Sequence, residues 1–436
     1  MRFLGVGDYC DLASMYRRLM AEGHDVKVSV SEPQCHGTMA GMVERVDDWE
    51  AALPWVAEAG PDGIVMFENV SYGRGAIGDA LRARGFNVVG GSAYGDRLEN
   101  DRGFGQAMLK ELGLPIAAVW EFDTAADASA FLRARPGRYV LKFNGEGFGA
   151  ADNYVGRLAD GRDVEAMIAA KFRHMERDRM GFVLMERLTG VEMGVGAYFD
   201  GERFLTPACL DWEHKRFFPG DIGELTAEMG TVVTYERSQG FFERTLARVA
   251  PLLRRHGHRG YVNLNTIVNE AGVWPLEFTC RFGYPGYAIL DPLQKTPWSA
   301  LLKRMATGAG AGLDARPGFA VGVMLTTRPF PFIRTHVPEP IGLPILFEGE
   351  LTERDRRNLH YQEVGLDRGQ LVTAGYHGWT MVATGTGPTI AQAQADAYRL
   401  VERVVLPNMR YRNDIGAKLI DGEYAAVERL GLLDPV

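Results

Sequence analysis

The chain has 436 residues, about three times the typical ~150 per domain, so two to four domains are expected. Hydrophobic residues at 46% and charged residues at 24% are ordinary globular usage, which excludes a disordered, fibrous or disulfide-scaffold protein. A net charge of −8 argues against a broad nucleic-acid or anionic-membrane surface, and no apolar run approaches the ~20 residues that cross a bilayer.

The N-terminal stretch turns polar at Asp8, so it reads as the first strand of a domain rather than a secretory signal, and a cytoplasmic location is expected. Residues 1–100 alternate apolar runs with amphipathic stretches: Phe3–Val6, Leu12–Glu22, Val26–Val30, a helix near Trp49–Ala59, Gly63–Phe67, Ile77–Arg84 and Asn87–Val89. This alternation predicts a small doubly wound parallel sheet whose ligand crevice lies at the strand ends, around Gly7–Leu12, Ser31–Thr38 and Glu68–Gly73.

Residues 101–320 change pattern: a helix over Phe104–Leu112, strands over Ala117–Phe122, Tyr139–Phe143, Phe182–Leu188 and Gly194–Phe199, then a long helix over Gly240–His256. Strands Gly260–Val268 and Val273–Phe278 form a hairpin turned at Asn269–Gly272. The last region, 321–436, runs from strand Val321–Thr326 to strand Trp379–Gly385 and helix Ile390–Val404, with the softest boundary at Pro317 and Gly318. The expected class is α/β, with α+β character in the centre. Cys10, Cys35, Cys209 and Cys280 are scattered without a C-x-x-C pair, so they read as reduced, buried thiols.

Three places can carry chemistry. Lys142 ends a strand and precedes a turn containing Gly145, Gly147 and Gly149, where an ammonium and backbone N–H groups can meet phosphate oxygens; an ordinary glycine turn fits equally. Val183–Glu192 is an extended segment with spaced carboxylates, able to receive a nucleotide or to be a half-buried strand. In the hairpin, Asn263 and Asn265 share one face, as do Glu277, Thr279 and Arg281, because side chains alternate with period two. Oxygen donors around one carboxylate suit Mg²⁺, and Arg281 suits a carboxylate or acyl phosphate.

Taken together, these pieces resemble the ATP-grasp ligases, and within them the phosphoribosylamine–glycine ligase family over nearly the whole chain. His214-Lys215-Arg216, then Gly220-Asp221, Gly223, Thr226 and Met229-Gly230, keep the spacing of the family's D-H-K-R…G-D-x-G-P-N-T-G-G-M-G loop. Leu276–Pro285 looks like its E-F-N-x-R-F-G-D-P-E, and Ala391–Glu402 with Met409–Gly416 looks like its A-x-x-x-A-Y…F-Y-R-x-D-I-G ending.

The resemblance implies an ATP-grasp fold with an N-terminal domain (1–100), an ATP-grasp domain (101–320, lid about 115–190) and a small C-terminal domain (321–436). It implies ATP and Mg²⁺ (or Mn²⁺) as cofactors. Arg102, Lys142, Gly147 and Gly149 would meet the ATP phosphates, Met185, Glu186 and Leu188 the adenine, and Glu192 the ribose. His214, Lys215 and Asp221 would belong to a loop closing over the reacting groups, Arg281 would orient the carboxylate, and Glu277, Thr279 and Asn265 would hold the metal.

This chain also departs from the family. The metal asparagine is Thr279, the G-K-G is Gly149-Ala150-Ala151, and P-N-T-G-G is Glu224–Glu228. The N-terminal G-x-G-G-R-E-H-A is Gly5–Leu12, with two aspartates where an arginine and a histidine would suit a phosphate. Gly7, Asp8, Asp11, Glu68 and Asn69 are therefore expected to bind an amine other than phosphoribosylamine. The expected function is an ADP-forming ligase joining an amino acid carboxylate to that amine. A genuine phosphoribosylamine–glycine ligase and an inactive nucleotide-binding regulator are the alternatives. Partners are small molecules, with no nucleic acid or membrane, and the protein is a monomer or homodimer. Near the helix end, His256 and His258 read as capping, Arg354–Arg357 as a solvated face, and Trp379 beside Gly375–Gly378 as pocket or core.

Overall fold

The computed structural model describes residues 1–70, 73–143, 153–173, 180–309, 312–332 and 341–435. Lys142 is therefore described, whereas the glycine turn with Gly147 and Gly149 lies outside the described residues.

Near the N-terminus, five parallel strands pair in the order Glu44–Arg45, Asp25–Val30, Arg2–Gly7, Gly63–Phe67, Asn87–Val89. Arg2–Gly7 is central and buried on both faces, which is why it reads as an apolar run rather than an alternation. Its C-terminal end points the 8–12 loop at the rest of the molecule. The helix expected over Trp49–Ala59 is only Leu53–Ala57, and the helix around Ile77 begins earlier, at Arg74.

A four-stranded antiparallel sheet is ordered Val119–Phe122, Phe182–Glu186, Tyr139–Phe143, Tyr154–Val155. Tyr139, Leu141 and Phe143 bury one face of their strand in the cluster with Ala128, Ile168 and Phe182, which turns Val140 and Lys142 to the other face.

Eight antiparallel strands make the large sheet: Gly272–Thr279, Gly260–Asn269, Val191–Phe199, Phe204–Glu213, Gly230–Thr234, Phe319–Thr326, Trp379–Gly387, Leu359–Tyr361. Residues beyond 318 thus continue the central sheet through the pairing of Gly230–Thr234 with Phe319–Thr326. The expected hairpin is present, with Asn269 opposite Gly272. Its register shifts between Asn265 and Thr266, where Thr266 faces Pro275; proline has no N–H for the ladder, and this strand is an edge strand, where proline is tolerated.

The long helix expected over Gly240–His256 is broken into Gln239–Arg244, a 3-10 turn at Leu246–Val249, and Ala250–Arg255. Thr245 leaves helical geometry, and Pro251 stands in the first turn of the last piece, where its missing N–H starts a helix rather than continuing one. The run Arg354–Arg357 is not simply a solvated face. Asp355 within it is 3% exposed, closes a capping box with Thr352 and is paired with Arg399 and Arg403. His258 does not cap either: it is fully buried with Nδ1 3.1 Å from Ser92 Oγ, and burial pushes its pKa down to about 3.

Candidate active site

A cavity of about 2580 Å³ opens where the three sheets meet, room for a nucleotide and more than one small substrate. Lys142, Met185, Glu186 and Leu188 line it from the four-stranded sheet and the segment that follows. Glu192, Lys215, Asp221, Glu277, Thr279 and Arg281 line it from the large sheet and its loops, and Asp11 and Asn69 from the N-terminal strand ends.

The centre is a network of charges. Arg102, at the start of helix Arg102–Glu111, places Nη2 2.9 Å from Glu277 Oε2. Lys215 Nζ lies 3.0 Å from Glu213, 3.1 Å from Glu192 and 3.5 Å from Glu277. Burial alone would raise Glu277, but Lys215, Lys142 and Arg102 together hold its pKa at about 2. Burial opposes the Lys215 ammonium too, yet Glu213, Glu192 and Glu277 raise it well above its usual value. Lys142 lacks a comparable match: burial and then Arg102 lower its pKa to about 8. Arg102, Lys142 and Lys215 converge on Glu277, and their fit to ATP phosphates with a metal at Glu277 rests on cations that can turn from carboxylates to phosphate oxygens.

The three expected metal residues divide. Glu277 and Thr279 line the cavity, while Asn265 does not. Its Nδ2 donates to Glu192 Oε1 at 2.7 Å and its Oδ1 accepts the N–H of Thr266, so Asn265 orients Glu192 from outside the cavity lining. Among the described residues, no three His, Cys, Asp or Glu side chains gather as a metal cage, consistent with an Mg²⁺ whose other ligands are phosphates and water.

His214 and Asp221, expected together over the reacting groups, behave differently. His214 is 1% exposed, its Nε2 accepts the N–H of Gly416 at 3.1 Å, and burial with Lys418 and Arg412 lowers its pKa to about 3. It is a neutral anchor for the 412–416 segment, turned away from the cavity. Asp221 sits in the hairpin formed by Arg216–Phe218 and Ile222–Leu225, with a φ of 54° beside Gly220 at 71° and Gly223 at 84°. Arg412, whose side chain is 1% exposed, donates to Asp221 at 2.7 Å and bidentately to Asp414 at 2.7 and 2.8 Å, while Gly220 N–H donates to Asp414 at 2.8 Å.

At the N-terminal end, the expected substrate residues separate. Asp8 is 2% exposed and faces inward, accepting from Ser31 and Asn69 at 2.6 Å and from Arg74 at 3.1 Å. Glu68 is 1% exposed and accepts the Tyr16 hydroxyl and the Asp11 N–H; burial and then Asp11 raise its pKa to about 8. Gly7 is packed so closely on Glu68 that a Cβ would collide with it. These three hold the loop and do not reach the cavity. Asp11 and Asn69 do. Burial raises Asp11 to about 6 against the pull of Arg281 and His377. Arg281 in turn has Nε 3.2 Å from Glu99.

Several residues of the site were not singled out by the sequence: Glu99, Glu213, Glu363, His377 and Arg412. Glu213 stands at the first position of the D-H-K-R segment and Arg412 inside the C-terminal motif, so alignment of those motifs was the available signal. His377 lies in the Gly375–Gly378 segment read as pocket or core, whereas Glu99 and Glu363 carried no signal, being brought in only by tertiary packing.

The phosphoribosylglycinamide synthetase ATP-grasp (A) domain matches residues 100–287. A phosphoribosylamine–glycine ligase of Streptomyces coelicolor is 30% identical over 360 residues, covering 78% of this chain and 80% of that protein. The chain belongs to the phosphoribosylamine–glycine ligase family. A relative of the same name from Leifsonia xyli is 27% identical over 96% of this chain and 100% of its own length. Among solved structures, the phosphoribosylamine–glycine ligase of Thermotoga maritima superposes with a TM-score of 0.71 at 21% identity, over 95% of this chain and 100% of that one. The biotin carboxylase domain of the Hydrogenobacter thermophilus 2-oxoglutarate carboxylase, described with MgADP and bicarbonate, gives 0.60 at 12% identity, over 94% and 91%. This family member has the ATP-grasp fold and is an ADP-forming carboxylate–amine ligase that uses ATP. Among the described residues, no helix is long and apolar enough to cross a membrane.

Proposed function

We propose that the chain activates the carboxylate of a small amino acid as an acyl phosphate and transfers the acyl group to an amine, and that the pair printed in its relatives' names, glycine and phosphoribosylamine, is the first pair to test. The observation that carries the reading is the meeting of Arg102, Lys142 and Lys215 around Glu277 in a cavity that is also lined by Arg281 and Asp11.

In this reading Met185, Glu186 and Leu188 receive the adenine edge and Glu192 the ribose. Lys142 and Arg102 neutralise the charge that spreads over the transferred phosphoryl, and Arg281 turns the acid's oxygen toward it. Glu277, with Thr279 beside it, would hold Mg²⁺, which would supply positive charge against the phosphates. Lys215 shifts from its three carboxylates toward the acyl phosphate, and the Asp221 hairpin covers the reacting groups. Phosphorylation supplies the leaving group that amide formation in water lacks, and positioning supplies the rest.

A second reading, an acceptor without a phosphate, is favoured by the carboxylates at the acceptor end. Asp11 and Glu363 stand there, Asp8 has taken Arg74 for itself, and Arg281 is paired with Glu99. A phosphate monoester would meet repulsion at that end. The deciding experiment supplies purified protein with ATP, Mg²⁺, glycine and phosphoribosylamine, follows ADP and amide together, and asks in parallel whether the gene rescues a purine auxotroph. Amide and rescue support the relatives' pair. ADP and hydroxamate with hydroxylamine but no amide from phosphoribosylamine support the second. No ADP with any acid would leave a nucleotide-binding regulator and sink the ligase roles given above.

A further inference from the structure

His377 has no part in the roles above, yet it is one of the most tightly oriented side chains of the cavity. Its Nδ1 lies 2.9 Å from Glu363 Oε1. Glu363 is 4% exposed and is fixed in turn by backbone N–H groups: His377 at 3.1 Å to each oxygen, Gly378 at 2.6 Å and Trp379 at 3.0 Å. The 375–379 loop wraps the carboxylate because Gly378 turns at a φ of 85° and a Cβ on Gly375 would strike Glu363. The imidazole is further held by Trp379 stacked at 5.0 Å and Tyr9 edge-on at 4.7 Å.

A carboxylate only accepts hydrogen bonds, so Nδ1 carries a proton, and in the neutral imidazole the lone pair is on Nε2. Nε2 makes no hydrogen bond among the described residues, and His377 lines the cavity with Tyr9, Asp11 and Trp379. Asp11 interacts electrostatically with both His377 and Arg281, which puts the imidazole beside Asp11, at the expected acceptor end.

We propose that His377, oriented by Glu363, is the base that takes the proton the acceptor nitrogen must lose to become an amide. The inference rests on the ligase reading above and holds for any amine acceptor. The nitrogen lone pair forms the N–C bond, and the C–O bond to the phosphate breaks. One proton passes from nitrogen to Nε2, and the departing phosphate takes it up. An acceptor that arrives as an ammonium gives Nε2 a further proton before attack, which is released to solvent.

The test compares wild type, His377→Asn and Glu363→Gln with ATP, Mg²⁺ and glycine or another proteinogenic amino acid. Acceptors are hydroxylamine, whose weakly basic nitrogen sheds its proton to water, and a set of ammonia, methylamine and phosphoribosylamine. In both variants the ratio of amide to hydroxamate kcat is expected to fall by about a hundredfold, the low end of what a positioned base contributes, with the acceptor KM within about threefold. Using two variants and a ratio guards against a general loss of folding. An unchanged ratio overturns the inference, as does a wild type that makes hydroxamate but no amide with any of the three amines. A wild type that makes no hydroxamate with any acid overturns the ligase reading itself, and this inference with it.

Discussion

Arg102 Nη2 lies 2.9 Å from Glu277 Oε2, joining a helix start to a strand end across 175 residues of chain. Without nucleotide, the cation expected at the ATP phosphates and the carboxylate expected at Mg²⁺ neutralise each other, so binding MgATP exchanges one set of charge pairs for another.

It follows that Glu277→Gln removes the anchor for Mg²⁺ and leaves Arg102 and Lys215 facing each other without their shared carboxylate. The expected result is a fall in kcat of about 10²–10³, the usual effect of losing one charge-stabilising group. Arg102→Met is expected to raise the KM for ATP with a smaller change in kcat. Steady-state ADP release separates the two, and equal KM values in wild type and Arg102→Met would remove Arg102 from the phosphate site.

Lys142 gives a pH signature. Its ammonium, lowered to about 8, is charged at pH 7 and largely neutral by pH 9, so affinity for MgATP is expected to weaken over that interval by up to about tenfold per pH unit. Lys142→Arg keeps its charge throughout and is expected to flatten the dependence. Calorimetric titration with MgATP at several pH values reads both, and a wild type with pH-independent affinity would contradict the assignment.

Glu68 predicts how stability varies with pH. Its folded pKa of about 8 stands above its unfolded value of 4.5, so between these values the folded state binds more protons and loses stability as pH rises. The penalty is absent below pH 4.5 and complete above 8. Glu68→Gln keeps an acceptor for the Asp11 N–H and a partner for Tyr16 without the charge. Its stability relative to wild type is expected to grow by up to about 1.4 kcal/mol per pH unit across the window. Urea unfolding at pH 5 and pH 8 checks the sign, and an equal difference at both would refute it.

Arg412 ties the Asp221 hairpin to the C-terminal segment, and Arg412→Met is expected to destabilise the protein by about 2–3 kcal/mol, the scale of hydrogen bonds to charged groups. Asp221 is half-exposed and can be rehydrated, which keeps the figure below that of a fully buried pair. Turnover is expected to fall more than stability, because the hairpin loses its shape before the core melts. Thermal melting with parallel assays reads this, and a variant with normal kcat would show that the hairpin's fixed form is not required.

What the sequence made legible followed local rules. The period of two brought Asn263, Asn265, Glu277 and Thr279 to one face, and the pairing of Asn265 with Glu277 and Asn263 with Thr279 realises it. The parallel sheet, the hairpin turn and the family were readable for the same reason, since each is written in consecutive residues. What stayed hidden depended on packing. Asp8 looked like a ligand-binding acid because nothing local reveals that Arg74 reaches it, and His214 looked catalytic because its motif does not show that Gly416 occupies it. Asn265 had the right element and face, yet its amide is turned to Glu192 and to its own neighbour's N–H, outside the cavity lining. The broken helix at Thr245 and Pro251 was the one local signal that the apolar periodicity outweighed.

The contact between Arg412 and Asp221 spans 191 residues of chain, and it also sets an order of events during synthesis. While the ribosome is still translating residues short of 412, the nascent chain already contains every expected ATP contact but lacks the brace for the hairpin that covers them. Chains arrested there are expected to bind nucleotide without turning it over, so ATP hydrolysis by half-made enzyme is withheld until the C-terminal segment docks.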